Sequence, residues 1–149
     1  MRIDKERIGK YLDQIAAEIV DLENILSKKD NSLLADPYII KSLKYSTIVI
    51  AEAIASTLQH ILAKKFNVVI DGYASVYIQS KENNIIPGKL LTRLNPFFKF
   101  RNMLVHQYWR VDNKVFIKNL RDGLNDFRKF IKKINEVVSE GESKNNRMD

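Results

Sequence analysis

The stretch DPYIIKSLKYSTIVIAEAIASTLQHILAKKF, residues 36–66, decides the fold. Asp36 followed by Pro37 is a helix start: the carboxylate caps free N–H groups, and proline tolerates the first helical position. The segment that follows is apolar nearly all round for roughly 30 residues, which predicts a helix running to about Phe66, buried at the centre of a bundle. Glu52 interrupts its most apolar part, STIVIAEAIAS, so no run approaches the roughly 18 apolar residues of a membrane span.

Working outward, residues 4–27 carry Ile8, Tyr11, Leu12, Ile15, Ile19, Leu22 and Leu26 at spacings of three and four, an amphipathic helix. SKKDNS is a polar break between the two. After Phe66, NVVIDGYAS reads as a connection, because a lone strand would have no partner; it leads to a helix over about Tyr73 to Asn83. NNIIPGK is the next break, with a short helix from Pro87 to Leu94. Asn95-Pro96 repeats the cap-and-proline start and opens a helix that WRVDN ends. The last helix spans about Lys114 to Val138, with a stripe of Phe116, Leu120, Leu124, Phe127, Ile131, Ile134 and Val138. The expected architecture is all-α, a five-helix up-down bundle forming one domain over 1–140, with a flexible tail at 141–149.

The chain has 149 residues and a net charge of +7, with no cysteine and two histidines, His60 and His106. Disulfides and thiolate metal sites are excluded, and a His-rich metal cluster is not expected. The charged start, MRIDKERIGKY, lacks the apolar core of a signal peptide, so a cytoplasmic protein without membrane attachment is the expectation. Charge is unevenly spread. Residues 86–133 hold 12 Lys/Arg against three Asp/Glu, whereas residues 1–85 balance at 11 of each. Such a segment attracts nucleic acid or any acidic partner, although a solvated lysine-rich helix face would look the same.

Within that segment lies FFKFRNMLVHQYWRVD, residues 97–112. On an ideal helix Phe97, Phe100, Leu104, Val105 and Tyr108 share an apolar arc, and Arg101 falls inside it. A guanidinium cannot shed its charge, so it must be paired, stacked or led to the surface; alternatively it is a fixed cation for a phosphate. His106 lies four residues after Asn102, whose amide is then placed to orient the imidazole, and imidazole moves protons near neutral pH. One imidazole and one guanidinium meet the demands of RNA cleavage: moving the 2′-hydroxyl proton and stabilising charge on phosphate oxygens. Five residues apart on one helix, however, Arg101 and His106 point about 140° apart. Either the long arginine side chain bridges the gap, or a two-fold axis brings two copies together. Glu52, Ser56 and His60 make a polar line on the central helix, either its wet stripe or a lining of the same cleft.

At RNMLVHQY the chain resembles the HepT-like toxins of the HEPN superfamily, whose motif is Arg, a polar residue often Asn, His five positions after the Arg, and Tyr two beyond. Here these fall on Arg101, Asn102, His106 and Tyr108. The resemblance implies a metal-independent endoribonuclease, without cofactor, whose homodimer sets two Arg–His motifs across one cleft. It implies that Arg101 holds the scissile phosphate, that His106 moves the proton and that Asn102 orients one of them. It also implies a partner, a small nucleotidyltransferase antitoxin that adds adenylate to Tyr108. The competing reading is a non-catalytic helical module that binds and regulates such a nucleotidyltransferase.

Overall fold

Asp4 accepts a hydrogen bond from the Arg7 N–H and caps α1, Lys5–Leu26. Its buried residues Ile8, Leu12, Ile15, Ile19, Leu22 and Leu26 are the stripe read from the sequence, less the half-buried Tyr11, and they face the helices Pro37–Phe66 (α3) and Asn113–Met148 (α6). The computed structural model describes residues 2–148, without side chains beyond Gly141. The backbone of residues 141–148, expected as a flexible tail, belongs to the last helix, and Asp149 lies outside the described residues.

α3, Pro37–Phe66, starts as its sequence requires. Asp36 accepts from the N–H groups of Tyr38 and Ile39, and Pro37 takes the first turn. It ends at Asn67, whose positive φ of 55° suits an asparagine. Ile50, Ile54, Leu58 and Ile61 are fully enclosed, so α3 is the bundle's central element. By length and composition it would also suit a membrane span, contrary to the sequence reading. One glutamate does not make the helix polar, and 67% of its most apolar stretch is buried within the bundle.

Six α-helices and a 3-10 turn occur among the described residues, where five helices were expected. α2, Asp30–Leu34, begins inside the supposed polar break because Leu33, just beyond it, is completely buried. Arg121 of α6 pins this corner, donating to the Leu26 and Lys28 carbonyls and to Asp30 Oδ1. These carbonyls at the α1 terminus lack helical partners, and the arginine fork satisfies them. α4, Tyr73–Glu82, follows Gly72, whose φ of +111° only glycine adopts without strain.

α5, Gly88–His106, corrects the sequence reading most. It runs unbroken through Pro96, so no new helix starts at Asn95. Proline forfeits one helical hydrogen bond, a cost of about 3 kcal/mol in a helix interior. The continuous apolar face of Leu90, Leu91, Leu94, Phe97 and Phe98 spans the break and offsets it. α6, Asn113–Met148, continues past Val138. α1, α3, α5 and α6 form a ring: α1 packs on α3 and α6, and α5 packs on the same two. α4 covers α3 and α5 at one end, which places its first residue beside Arg101.

Candidate active site

The Arg101 side chain projects from the core-facing side of α5 near its end, where it is 21% exposed. Its Nε and Nη2 both donate to Oε1 of Glu52 on α3, at 3.2 and 3.0 Å. The guanidinium carbon lies 4.9 Å from the centre of the Tyr73 ring on α4. Nη1 donates to Asn102 Oδ1 at 3.3 Å. Three helices thus hold one cation. The carboxylate takes the Nε edge and the ring takes a face, leaving N–H groups on the outer edge for a further acceptor.

Sequence reasoning found Arg101 and Asn102, and these two are together. It placed Glu52 and Ser56 on a possible cleft lining; both line a cavity beside the guanidinium. His60 parts from them. It is buried and accepts the Asp4 N–H through Nε2 at 2.9 Å, tying α3 to the start of α1. Burial, then the charge of Arg7, holds its pKa below the ordinary 6.5, consistent with an unprotonated acceptor nitrogen. Tyr73 was missed. Nothing local marks a tyrosine at the start of α4 as the floor under an arginine on α5. Its burial holds the phenol pKa above 10.0, against the opposing pull of Arg101.

His106 is the last residue of α5, and its exposed imidazole makes no hydrogen bond or ion pair among the described residues. The Asn102 amide oxygen engages Arg101 instead of the imidazole. The helix ends here because Gln107 leaves helical geometry at φ −146° and ψ 49°. Tyr108 consequently lies outside α5, in the 3-10 turn Tyr108–Arg110, and not on the helix's apolar arc. It is 64% exposed and packs edge-on against Trp109 at 5.5 Å. Val105, also assigned to that arc, is 45% exposed.

The basic segment proves partly structural. Arg93 pairs with Asp126, Arg101 with Glu52, Arg121 with Asp30 and Arg128 with Glu23. Three of these pairs join α5 or α6 to acids in the first half of the chain, explaining much of the charge asymmetry. Lys89, Lys99, Lys114, Lys118, Lys129 and Lys132 have no such partner among the described residues. Among the described residues, no group of three or more His, Asp or Glu side chains gathers as a metal site would require.

A family model described as Ribonuclease HepT-like matches residues 14–134, which include the whole Arg101–Tyr108 motif. The chain belongs to the HepT-like ribonuclease family. A search of curated proteins gives no match. Solved structures confirm the HepT-like fold. A tri-AMPylated HEPN toxin from Shewanella oneidensis, in complex with an MNT antitoxin, superposes with a TM-score of 0.80 at 19% identity, covering 87% of this chain and 97% of that one. A toxin–antitoxin structure with AMP-PNP gives 0.77 at 20% identity, covering 86% and 97%. The cytosolic protein YutE of Bacillus subtilis gives 0.79 at 17% identity, covering 94% of each chain.

Proposed function

We propose that this HepT-like protein is a metal-independent endoribonuclease, the toxin of a pair with a small nucleotidyltransferase antitoxin. The observation that carries the reading is the state of His106: an exposed imidazole without a protein partner, in the same motif as a guanidinium held on three sides. An imidazole engaged structurally would be bonded, as His60 is.

In the reaction, an unprotonated imidazole takes the proton of a ribose 2′-hydroxyl. That oxygen attacks the adjacent phosphorus, and the bond to the 5′-oxygen breaks. A protonated imidazole gives the leaving oxygen its proton, and a 2′,3′-cyclic phosphate remains. The free edge of Arg101 binds the non-bridging oxygens, where negative charge accumulates. Asn102 orients Arg101. Because Arg101 and His106 diverge on one chain, the site is composite, completed by a second copy across a two-fold axis. The same symmetry supplies two imidazoles, one as base and one as acid.

The exposed Tyr108 is the residue the antitoxin modifies with adenylate, consistent with the tri-AMPylated state of the Shewanella toxin. Added phosphate two residues from His106 repels RNA and competes for Arg101. Cleavage of RNA by purified protein in EDTA, and its loss in His106→Ala with an unchanged circular dichroism spectrum, tests the activity. Equal cleavage by the variant overturns the assignment. Sedimentation as a monomer at all concentrations overturns the composite site.

A second reading has one observation in its favour: Glu52 already balances the charge of Arg101. On that reading the protein is a non-catalytic module that binds and regulates the nucleotidyltransferase. Expression without the partner separates the two, since a toxin slows growth and a binding module does not.

A further inference from the structure

Two residues in contact with Arg101, Glu52 and Tyr73, also line a cavity of about 270 Å³ between α3 and α4. That is just below the roughly 300–1,000 Å³ of sites for drug-sized ligands, which suits one flat ring system rather than a larger molecule. Its walls differ in character. Glu52, Ser56 and Gln59 are spaced by four and three residues, so they line one side from a single face of α3. Ile70, Tyr73 and Val76 supply an apolar opposite side. The Ser56 and Gln59 side chains form no hydrogen bond among the described residues. Glu52 spends only Oε1 on Arg101, leaving Oε2 as an acceptor.

An apolar wall facing unpaired hydrogen-bonding groups suits a heteroaromatic ring: its faces need burial and its edge needs partners. The neighbouring cation suits an anionic group attached to that ring. We propose that this cavity is a nucleobase pocket, taking one unpaired base of an RNA strand beside the phosphate held by Arg101. The proposal rests on the ribonuclease reading for its substrate, though not for its geometry. Glu52 Oε2 accepts hydrogen bonds only; the exocyclic amino groups of adenine, cytosine and guanine donate to it, whereas uracil's one edge donor, N3–H, sits between two carbonyl oxygens that a carboxylate repels, so the pocket favours the amino-bearing bases. A base reaches it only out of a duplex, which makes single-stranded RNA the substrate.

Two measurements on the full chain test this. In the first, AMP, CMP, GMP, UMP and ribose 5-phosphate are titrated calorimetrically. The three amino-bearing nucleotides should bind roughly tenfold tighter than UMP or ribose 5-phosphate. Gln59→Trp, at an exposed position from which the indole fills the cavity, should erase that advantage while ribose 5-phosphate binding stays unchanged. Ser56→Leu, which removes one polar group, should reduce it. Equal binding of all five ligands, or an advantage untouched by both variants, overturns the pocket. In the second, cleavage sites are mapped on random-sequence RNA. Cuts should cluster beside amino-bearing bases, and Gln59→Trp should flatten the distribution. Cleavage without base preference overturns the pocket and leaves the ribonuclease standing. Base-selective nucleotide binding without any cleavage overturns the ribonuclease and supports the pocket.

Discussion

Arg101 Nη2 lies 3.0 Å from Glu52 Oε1, joining α5 to α3 across 49 residues of sequence. The carboxylate aims the guanidinium but also offsets its charge, so removing it should act differently on chemistry and on binding. Glu52→Ala is expected to lower kcat about tenfold or more by freeing the guanidinium, while KM moves less, because the lost hydrogen bond to the base and the lost negative charge facing RNA act in opposite directions. Single-turnover cleavage across a range of enzyme concentrations separates the two effects. A raised KM with unchanged kcat would show that Glu52 does not position the cation for chemistry.

Tyr108 stands on a 3-10 turn, 64% exposed, and its hydroxyl makes no hydrogen bond among the described residues. Co-expression with the partner nucleotidyltransferase should add adenylate mass to Tyr108, and Tyr108→Phe should remain unmodified and toxic beside that partner. Intact-mass and peptide mass spectrometry provide the check. Adenylate on any other residue would remove Tyr108 from the regulatory scheme.

His60 predicts a pH dependence of stability. Its pKa in the fold is lowered, chiefly by burial and then by Arg7, while Asp4 acts in the opposite direction and Lys64 adds to the lowering. A lowered pKa means the unfolded chain takes up a proton before the folded one. The contribution is therefore complete above the ordinary value of 6.5 and is lost as pH falls from there through the folded pKa. Protonation also removes the acceptor for the Asp4 N–H, loosening the start of α1. Thermal unfolding between about pH 5 and 8 should show Tm falling on the acid side, and His60→Gln should flatten that part of the profile. An equal acid-side fall in the variant would assign the effect to other groups.

Gly123 on α6 faces Phe97, and a Cβ at that position would overlap the edge of the ring, with Cε2 2.8 Å away. Helix propensity alone favours alanine over glycine by about 1 kcal/mol. Phe97, however, is 2% exposed and packs edge-on against Phe127 at 4.7 Å, so its ring has little room to retreat. Overpacking typically costs about 1–3 kcal/mol. Gly123→Ala should therefore be destabilising in urea unfolding, and less so in a Phe97→Leu background where the ring is gone. A stabilised single variant would mean that the helices separate easily at this contact.

Much of this protein was legible along the chain because its signals are local. The stripe on α1, the cap and proline at Asp36-Pro37 and the enclosed α3 follow from periods of three and four residues and from backbone chemistry within one turn. The motif residues Arg101, Asn102, His106 and Tyr108 were legible for the same reason: their meaning lies in order and spacing. Where local signals competed with packing, packing prevailed. Pro96 looked like a start but sits inside α5, because the apolar face on both sides of it is buried as one surface. The SKKDNS break holds α2 because Leu33, just beyond it, fills the core.

Amino-acid order thus determined that the chain is helical, where most of its helices begin, and which residues carry the motif. Only the tertiary structure decided that Glu52 and Tyr73 meet Arg101, that His60 turns away toward Asp4, and that Arg93, Arg101, Arg121 and Arg128 serve as ties between helices. Periodicity shows which face of a helix is buried, but the partner that meets a given side chain depends on how helices distant in sequence settle against one another.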